Sequence, residues 1–379
     1  MKYTCISADC HLDLGWLPPT LFTENASASV QEFMPYVTDS PDGPTWVNKR
    51  GAKFGLACGV SSAGRKYVPG LSTRVDRMAA KGIYTEASRA SRRLADPHQR
   101  IKDQDIDGVQ AEVLYGILGA VNSVGDPAAG AEVTRIYNDW LADFCKPYPN
   151  RLIGLGLIPG NNVKTSIAEA KRLIAKGTRG LEMSMLENPI RLLERQWDPL
   201  WAILSEARVP VHFHLTTPVR GPQPTHWNAM EAHAADAVRG CRAPLSAADY
   251  LMEIMFGGAL ERFPNLKVVF GEAGLGWIPY ILERIDEQWE VQYRDLELKM
   301  KPSEYWKRQC KSTFQFDNVG LRLLDQFGED TIMWGSDFPH RDGVWPDSQD
   351  YIQRQFSGLP DRIRQKVICD TAVELYQIS

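Results

Sequence analysis

The feature that most constrains this chain is a repeated alternation of short apolar runs with amphipathic stretches. Eight runs read as strands: Tyr3–Ala8, Ala111–Tyr115, Leu152–Ile158, Gly180–Met185, Val211–Leu215, Lys267–Gly271, Ser312–Phe316 and Thr331–Gly335. Most are bounded by Gly, Pro, Asn or Asp, and their near-continuous apolar character suits strands buried on both faces. Helical patterns lie between them at Ala129–Cys145, Val163–Lys176, Pro199–Ala207, Ala247–Arg262 and Ile278–Tyr293. Tail helices follow near Ser348–Phe356 and Arg362–Tyr376. Eight strands in βα order predict an α/β fold of the (β/α)8 TIM-type barrel class. A doubly wound open sheet is the runner-up, but it usually needs fewer strands. No GxGxxG follows a strand to mark a dinucleotide site; Gly154 and Gly156 fall inside one.

Two segments break the rhythm, about 12–100 after the first strand and about 216–246 after the fifth. Connections of that length are usually active-site covers or inserted subdomains. Both follow the C-terminal end of a strand, the face on which barrel sites are built. The 379 residues are therefore read as one domain, 1–379, with a lid at 12–100 and a second loop insertion at 216–246.

Composition excludes several classes. With 44% hydrophobic and 24% charged residues the chain is ordinary globular material. A net charge of -4 and no Lys/Arg block argue against a nucleic-acid partner. No apolar run reaches the length of about 18 residues that a membrane helix needs. The opening MKYTCISADCHLD lacks the apolar core of a signal peptide. Seven cysteines, an odd number with no CxxC pair, fit reduced thiols in the cytoplasm. Cys10 stands out because it lies between two candidate metal ligands.

Those ligands are Asp9 and His11. Side chains two apart on a strand point the same way, so a carboxylate and an imidazole there can grip one cation. The plain alternative is a solvated Asp and a chance His at a strand end. On the fifth strand His212 and His214 also share a face, and two buried histidines are unfavourable unless bonded or coordinating. His214 lies nearer the strand's C-terminal end and is favoured as the ligand. His212 either orients a neighbouring group or is a satisfied core residue, with nothing to separate the two. Asp337 follows the eighth strand, before a Pro-containing turn; it is a fourth ligand or an ordinary turn Asp. Glu272 follows the sixth strand among small residues. Burial would raise its pKa and suit it to acid–base work, although it also fits as a partner of a ligating His or a helix cap. Arg284 sits on a helix, where a local salt bridge is favoured over a substrate clamp.

These pieces, in order, resemble the amidohydrolase-related family that includes aminocarboxymuconate-semialdehyde decarboxylase, the resorcylate and carboxyvanillate decarboxylases, and several hydrolases. The matching motifs are Asp9-Cys-His11, Asp107-Gly-Val, Tyr137-Asn-Asp-Trp140, Asn150-Arg-Leu-Ile-Gly154, Pro210-Val-His-Phe-His214, Glu272-Ala-Gly-Leu-Gly-Trp-Ile-Pro279 and Gly335-Ser-Asp-Phe-Pro-His340. The resemblance implies one divalent ion at the C-terminal face of a barrel, held by Asp9, His11, His214 and Asp337. It also implies a homo-oligomer, a dimer or tetramer. The family's usual sixth-strand histidine has no match, since Glu272 stands there.

Two chemistries follow. In the first, the ion lowers the pKa of a bound water to about 7. Asp337 or Glu272 takes its proton, the hydroxide attacks a carbonyl, and Glu272 or His340 protonates the leaving group. In the second, a hydroxybenzoate-like or muconate-like acid loses carbon dioxide without oxidation. Because Glu272 replaces the family's histidine, hydrolysis of a small carboxylate- or carbonyl-bearing substrate ranks first and decarboxylation second. A non-catalytic barrel that binds a small molecule ranks third. Two imidazoles and two carboxylates suit zinc, manganese or cobalt, and zinc is placed first.

Overall fold

The computed structural model describes residues 2–84, 93–185, 189–215 and 226–378. Strand β1 spans Ile6–His11. The segment after it holds β2 (Tyr36–Thr38), β3 (Thr45–Val47) and β4 (Lys53–Leu56). There follow β5 (Ala111–Tyr115), β6 (Leu152–Gly154), β7 (Gly156–Ile158), β8 (Leu181–Met183), β9 (Val211–His214), β10 (Val268–Gly271), β11 (Cys310–Phe314) and β12 (Ile332–Trp334). Each of the eight expected runs carries strand. The first is displaced by three residues, so that Asp9 and His11 lie inside the strand rather than beyond it.

Strands β1, β5 and β6 pair side by side, and β7 to β12 pair in sequence order, all parallel. The run Leu152–Ile158 divides at Leu155: its N–H donates to Leu114 O at 3.0 Å, whereas the Gly156 N–H turns to Gly180 O at 3.1 Å. The chain beyond β12 lies against β1, where Asp337 N–H donates to Asp9 O and His11 N–H to Phe338 O, both at 2.8 Å. This is an α/β fold of parallel sheets with helical crossovers, and its pairing is consistent with a TIM-type barrel.

The crossover helices start where short polar side chains cap them. Asp126 accepts from Ala129 N at the head of Pro127–Cys145, and Asn162 accepts from Thr165 N at the head of Val163–Ala175. Two expected helices are interrupted. Ala247–Arg262 divides at Gly257-Gly258, where Gly258 takes φ 73°. The tail helix is broken by a π-turn over Lys366–Asp370.

Within the long segment after β1, the strands β2, β3 and β4 form a small antiparallel sheet that sequence periodicity does not reveal. Each is only three or four residues long, and most of their side chains are half-buried. The segment is nonetheless anchored: Trp16, Phe22, Met34 and Trp46 share one apolar cluster with Tyr137, Leu141 and Phe144 of helix Pro127–Cys145. Burying side chains of this size contributes about 1.5–3 kcal/mol each. Of the second insertion, 216–225 lies outside the described residues. The remainder carries a helix, Ala229–Arg242, started by an Asn228/Glu231 capping box. No helix among the described residues is long and apolar enough to cross a membrane. No disulfide forms among the described residues.

Candidate active site

The site begins with an irregularity in β1. Ser7 stands opposite Glu112 and Cys10 opposite Leu114, so Ala8 and Asp9 together face a single residue of β5. Such a bulge re-aims the side chains around it. Cys10 is turned away from the ligands, its Sγ lying 3.0 Å from Ser7 Oγ and 3.3 Å from Ser336 Oγ. Asp9 and His11 share the opposite face.

There the expected ligands converge. His11 Nε2 lies 3.3 Å from Asp9 Oδ1 and 3.1 Å from Asp337 Oδ1. His214 Nε2 lies 3.8 Å from Asp9 Oδ1 and 3.5 Å from Glu272 Oε2. Asp9 Oδ1, His11 Nε2, His214 Nε2 and both Asp337 carboxylate oxygens are buried with no hydrogen-bond partner. Buried polar atoms are seldom left so, and five gathered from four residues are what a divalent cation would satisfy. Asp9, His11 and His214 form one potential metal-binding group, and His11, Glu272, Asp337 and His340 another. The donor set therefore fits a metal ion.

The surrounding residues fix these donors. Asp9 Oδ2 accepts from Glu272 N–H at 2.8 Å and from Thr313 Oγ1 at 2.5 Å, leaving Oδ1 for the cluster. Burial works to raise the Asp9 carboxyl, but His11 and His214 overcome it and hold it well below the usual range. Glu272, directly after β10, and Asp337, three residues past β12, both take left-handed backbone, φ 52° and 55°. Non-glycine residues seldom adopt that conformation, and it concentrates at functional sites. Two glycines supply the room. A Cβ on Gly335 would lie 2.5 Å from Asp9 Cβ, and one on Gly271 would lie 2.8 Å from the His214 ring.

His340 stacks on His11 with ring centroids 3.7 Å apart. Its Nδ1 lies 3.1 Å from Asp337 Oδ1 and its Nε2 2.8 Å from Asp13 Oδ2. Burial, then the charge on Asp337, pushes the Glu272 carboxyl well above its ordinary value, against the opposing pull of His214 and His340. His212 is wholly buried: its Nδ1 lies 2.8 Å from Tyr115 Oη, its Nε2 has no hydrogen-bond partner, and burial pushes it down to about 3, so it is neutral. The Tyr115 ring in turn packs 4.9 Å from that of His214. Arg284 is exposed and pairs with Glu287 on its own helix, which excludes it from the site.

Sequence reasoning missed four contributors. Asp13 and Thr313 act through partners hundreds of residues away. Arg100, wholly buried, reaches the backbone of His11. Glu182 on β8 is buried, accepts from Gly116 N–H at 2.9 Å, and is pushed by burial up to about 7. A lone carboxylate within the apolar run Gly180–Met185 was the available signal. A cavity of about 910 Å³ joins these groups, lined by His11, Asp13, Glu182, His214, Glu272 and His340 near the ligands. Lys53, Arg65, Arg239 and Arg341 also line it, and all four are exposed or half-buried.

The chain belongs to the amidohydrolase family, whose model matches residues 86–378. Among curated proteins it is 25% identical, over 64% of its length and 67% of the relative's, to 2-amino-3-carboxymuconate-6-semialdehyde decarboxylase from Dictyostelium discoideum. It is 24% identical, over 66% of its length and 78% of the relative's, to gamma-resorcylate decarboxylase from Polaromonas sp.. Among solved structures, an amidohydrolase from Mycobacterium avium subsp. paratuberculosis K-10 matches with TM-score 0.75 and 19% identity, over 100% of this chain and 99% of that one. The dihydroxybenzoic acid decarboxylase of Polaromonas sp. JS666, with bound manganese and the inhibitor 2-nitroresorcinol, matches with TM-score 0.63 and 20% identity, over 81% and 94%.

These relatives overturn the ranking of hydrolysis ahead of decarboxylation. The ranking rested on Glu272 replacing a histidine, and that replacement does not discriminate. A carboxyl that keeps its proton when buried can serve as the acid in either reaction. The enzyme class, a member of the amidohydrolase superfamily, stands.

Proposed function

We propose that this chain is a metal-dependent decarboxylase that removes carbon dioxide, without oxidation, from a small aromatic or muconate-like acid. The observation that carries it is the convergence of five buried donor atoms from Asp9, His11, His214 and Asp337 that have no hydrogen-bond partner, in a chain whose curated relatives are decarboxylases. The reading includes a closed (β/α)8 barrel, one domain over 1–379, with lids at 12–100 and 216–246. It also includes a homo-oligomeric state.

In this reading Asp9, His11, His214 and Asp337 hold one divalent ion. Two imidazoles and two carboxylates accept zinc, manganese or cobalt. Manganese takes first place over zinc because a similar solved decarboxylase holds it. When bound, the ion supplies positive charge that draws the substrate's oxygens and stabilises the electron density left as carbon dioxide departs. Thr313 and the Glu272 N–H fix Asp9. His340, held between Asp13 and Asp337, fixes the Asp337 carboxylate. Glu272 is the general acid. The bond from the ring or chain carbon to the carboxylate breaks, its electron pair stays on that carbon, and the Glu272 proton is transferred there. Water then reprotonates Glu272. Lys53, Arg65, Arg239 and Arg341 along the cavity favour an anionic substrate.

The test is carbon dioxide release by manganese-loaded protein offered dihydroxybenzoates, 5-carboxyvanillate and aminocarboxymuconate semialdehyde. Turnover of any of these acids, lost in Glu272→Gln, supports the reading. Ester, lactone or amide hydrolysis with no release of carbon dioxide overturns it.

A further inference from the structure

Arg100 lies on helix Pro97–Asp107, outside the parallel sheet, and no part of it reaches solvent. Its Nε donates to Glu112 Oε2 at 2.7 Å, on the outward face of β5. Its Nη1 donates to His11 O at 3.1 Å, and its Nη2 to Phe338 O at 3.2 Å. The guanidinium also lies 4.6 Å from the Phe338 ring. One planar fork is thus spent on one carboxylate and two backbone carbonyls.

Those carbonyls are not arbitrary. His11 O belongs to a candidate ligand at the end of β1. Phe338 O belongs to the residue after Asp337, the candidate ligand beyond β12. The two segments meet through Asp337 N–H to Asp9 O, His11 N–H to Phe338 O and bonds of Ser336 to Ser7 and Cys10. Phe338 O therefore accepts from both His11 and Arg100. The left-handed backbone at Asp337 needs such support, because conformations of this kind persist only where the surroundings over-determine them.

We propose that Arg100, oriented by Glu112, is a positioning residue of the metal centre: it locks the seam that sets His11 against Asp337. The inference rests on the metal-binding reading above. A lysine here keeps the charge beside Glu112 but is a point donor, and cannot hold a carboxylate and two divergent carbonyls at once. Groups that orient metal ligands typically change affinity by about 10- to 100-fold when altered.

The test uses full-length protein, freed of metal with a chelator and titrated with manganese, the free ion being followed by electron paramagnetic resonance. Arg100→Lys is compared with wild type and with Arg262→Lys. Arg262 makes a two-pronged pair with Asp198, at 2.9 and 2.6 Å, and its third bond goes to Gly257 O, so it bonds none of the candidate ligands or their carbonyls. Thermal unfolding of the metal-free forms is measured alongside. Arg100→Lys is expected to bind manganese at least about tenfold more weakly than wild type, and Arg262→Lys to bind it normally. If Arg100→Lys does not fold, Glu112→Gln is read in its place, with the same expected direction. Affinity within twofold of wild type, or a loss shared by Arg262→Lys, overturns the positioning role even if stability falls. Wild-type protein that takes up no manganese overturns the metal reading and this role together.

Discussion

The Asp9 carboxylate is divided between two tasks by the backbone of Glu272. Oδ2 accepts the Glu272 N–H at 2.8 Å, and Oδ1 is left facing His11 and His214. A single hydrogen bond thus couples the candidate metal ligand on β1 to the candidate general acid after β10.

Thr313 completes that coupling, with its Oγ1 2.5 Å from Asp9 Oδ2 and 2.7 Å from Glu272 N. Thr313→Val keeps the shape and removes the hydroxyl. Manganese affinity is expected to fall about tenfold, measured by titration of the metal-free protein. Unchanged affinity would show that the Glu272 N–H alone suffices to orient Asp9.

Glu272→Gln keeps the side-chain volume and removes the transferable proton. Turnover is expected to fall by about 10²- to 10⁴-fold while manganese binding stays near normal. A variant that retained more than a tenth of the wild-type turnover would point to another donor.

Gly335 admits no side chain, since its Cβ would stand 2.5 Å from Asp9 Cβ and 2.9 Å from Asp9 N. Gly335→Ala is expected to lower stability by about 1–3 kcal/mol and to weaken metal binding, because β1 must retreat. Denaturant unfolding of the metal-free protein, paired with the titration, separates the two effects.

Much of this arrangement was readable beforehand, and the reasons differ by residue. Asp9 and His11 were legible because strand alternation places them together, and that same alternation turned Cys10 away. His214 was legible by its place at the strand end, whereas the bond from His212 to Tyr115, whose ring packs on His214, was not. Asp13, Thr313 and Arg100 were not legible. Their partners are Asp337 through His340, Asp9, and the carbonyls of His11 and Phe338, all brought together only when distant segments meet. The β2–β4 sheet was hidden for a local reason: three-residue strands carry too few side chains to show a period.

Glu182 gives a pH signature. Its folded-state pKa is raised by burial to about 7 from a usual value of 4.5. The folded state therefore holds a proton that the unfolded state gives up, across the window from about 4.5 to about 7. Stability from this group is fully present below that window and is lost as pH rises through it. Relative to Glu182→Gln, metal-free wild type is expected to lose about 3 kcal/mol between pH 4.5 and 8. Denaturant midpoints at the two ends of that range measure it. A difference that did not change with pH would mean that Glu182 stays ionised in the fold.

The basic side chains along the cavity bear on substrate charge. Arg65 is already paired with Asp236 at 3.2 Å, whereas Arg341 stands 4.0 Å from Asp342. Arg341→Ala is expected to raise KM for an acidic substrate about tenfold with little change in kcat. A fall in kcat with unaltered KM would place Arg341 in the chemical step instead.

Anomalous diffraction from crystals grown with manganese tests the metal centre most directly. A single peak is expected within coordination distance of Asp9 Oδ1, His11 Nε2, His214 Nε2 and Asp337, lost in Asp337→Ala. Crystals showing no peak among those four residues, or manganese held only elsewhere on the chain, would contradict it.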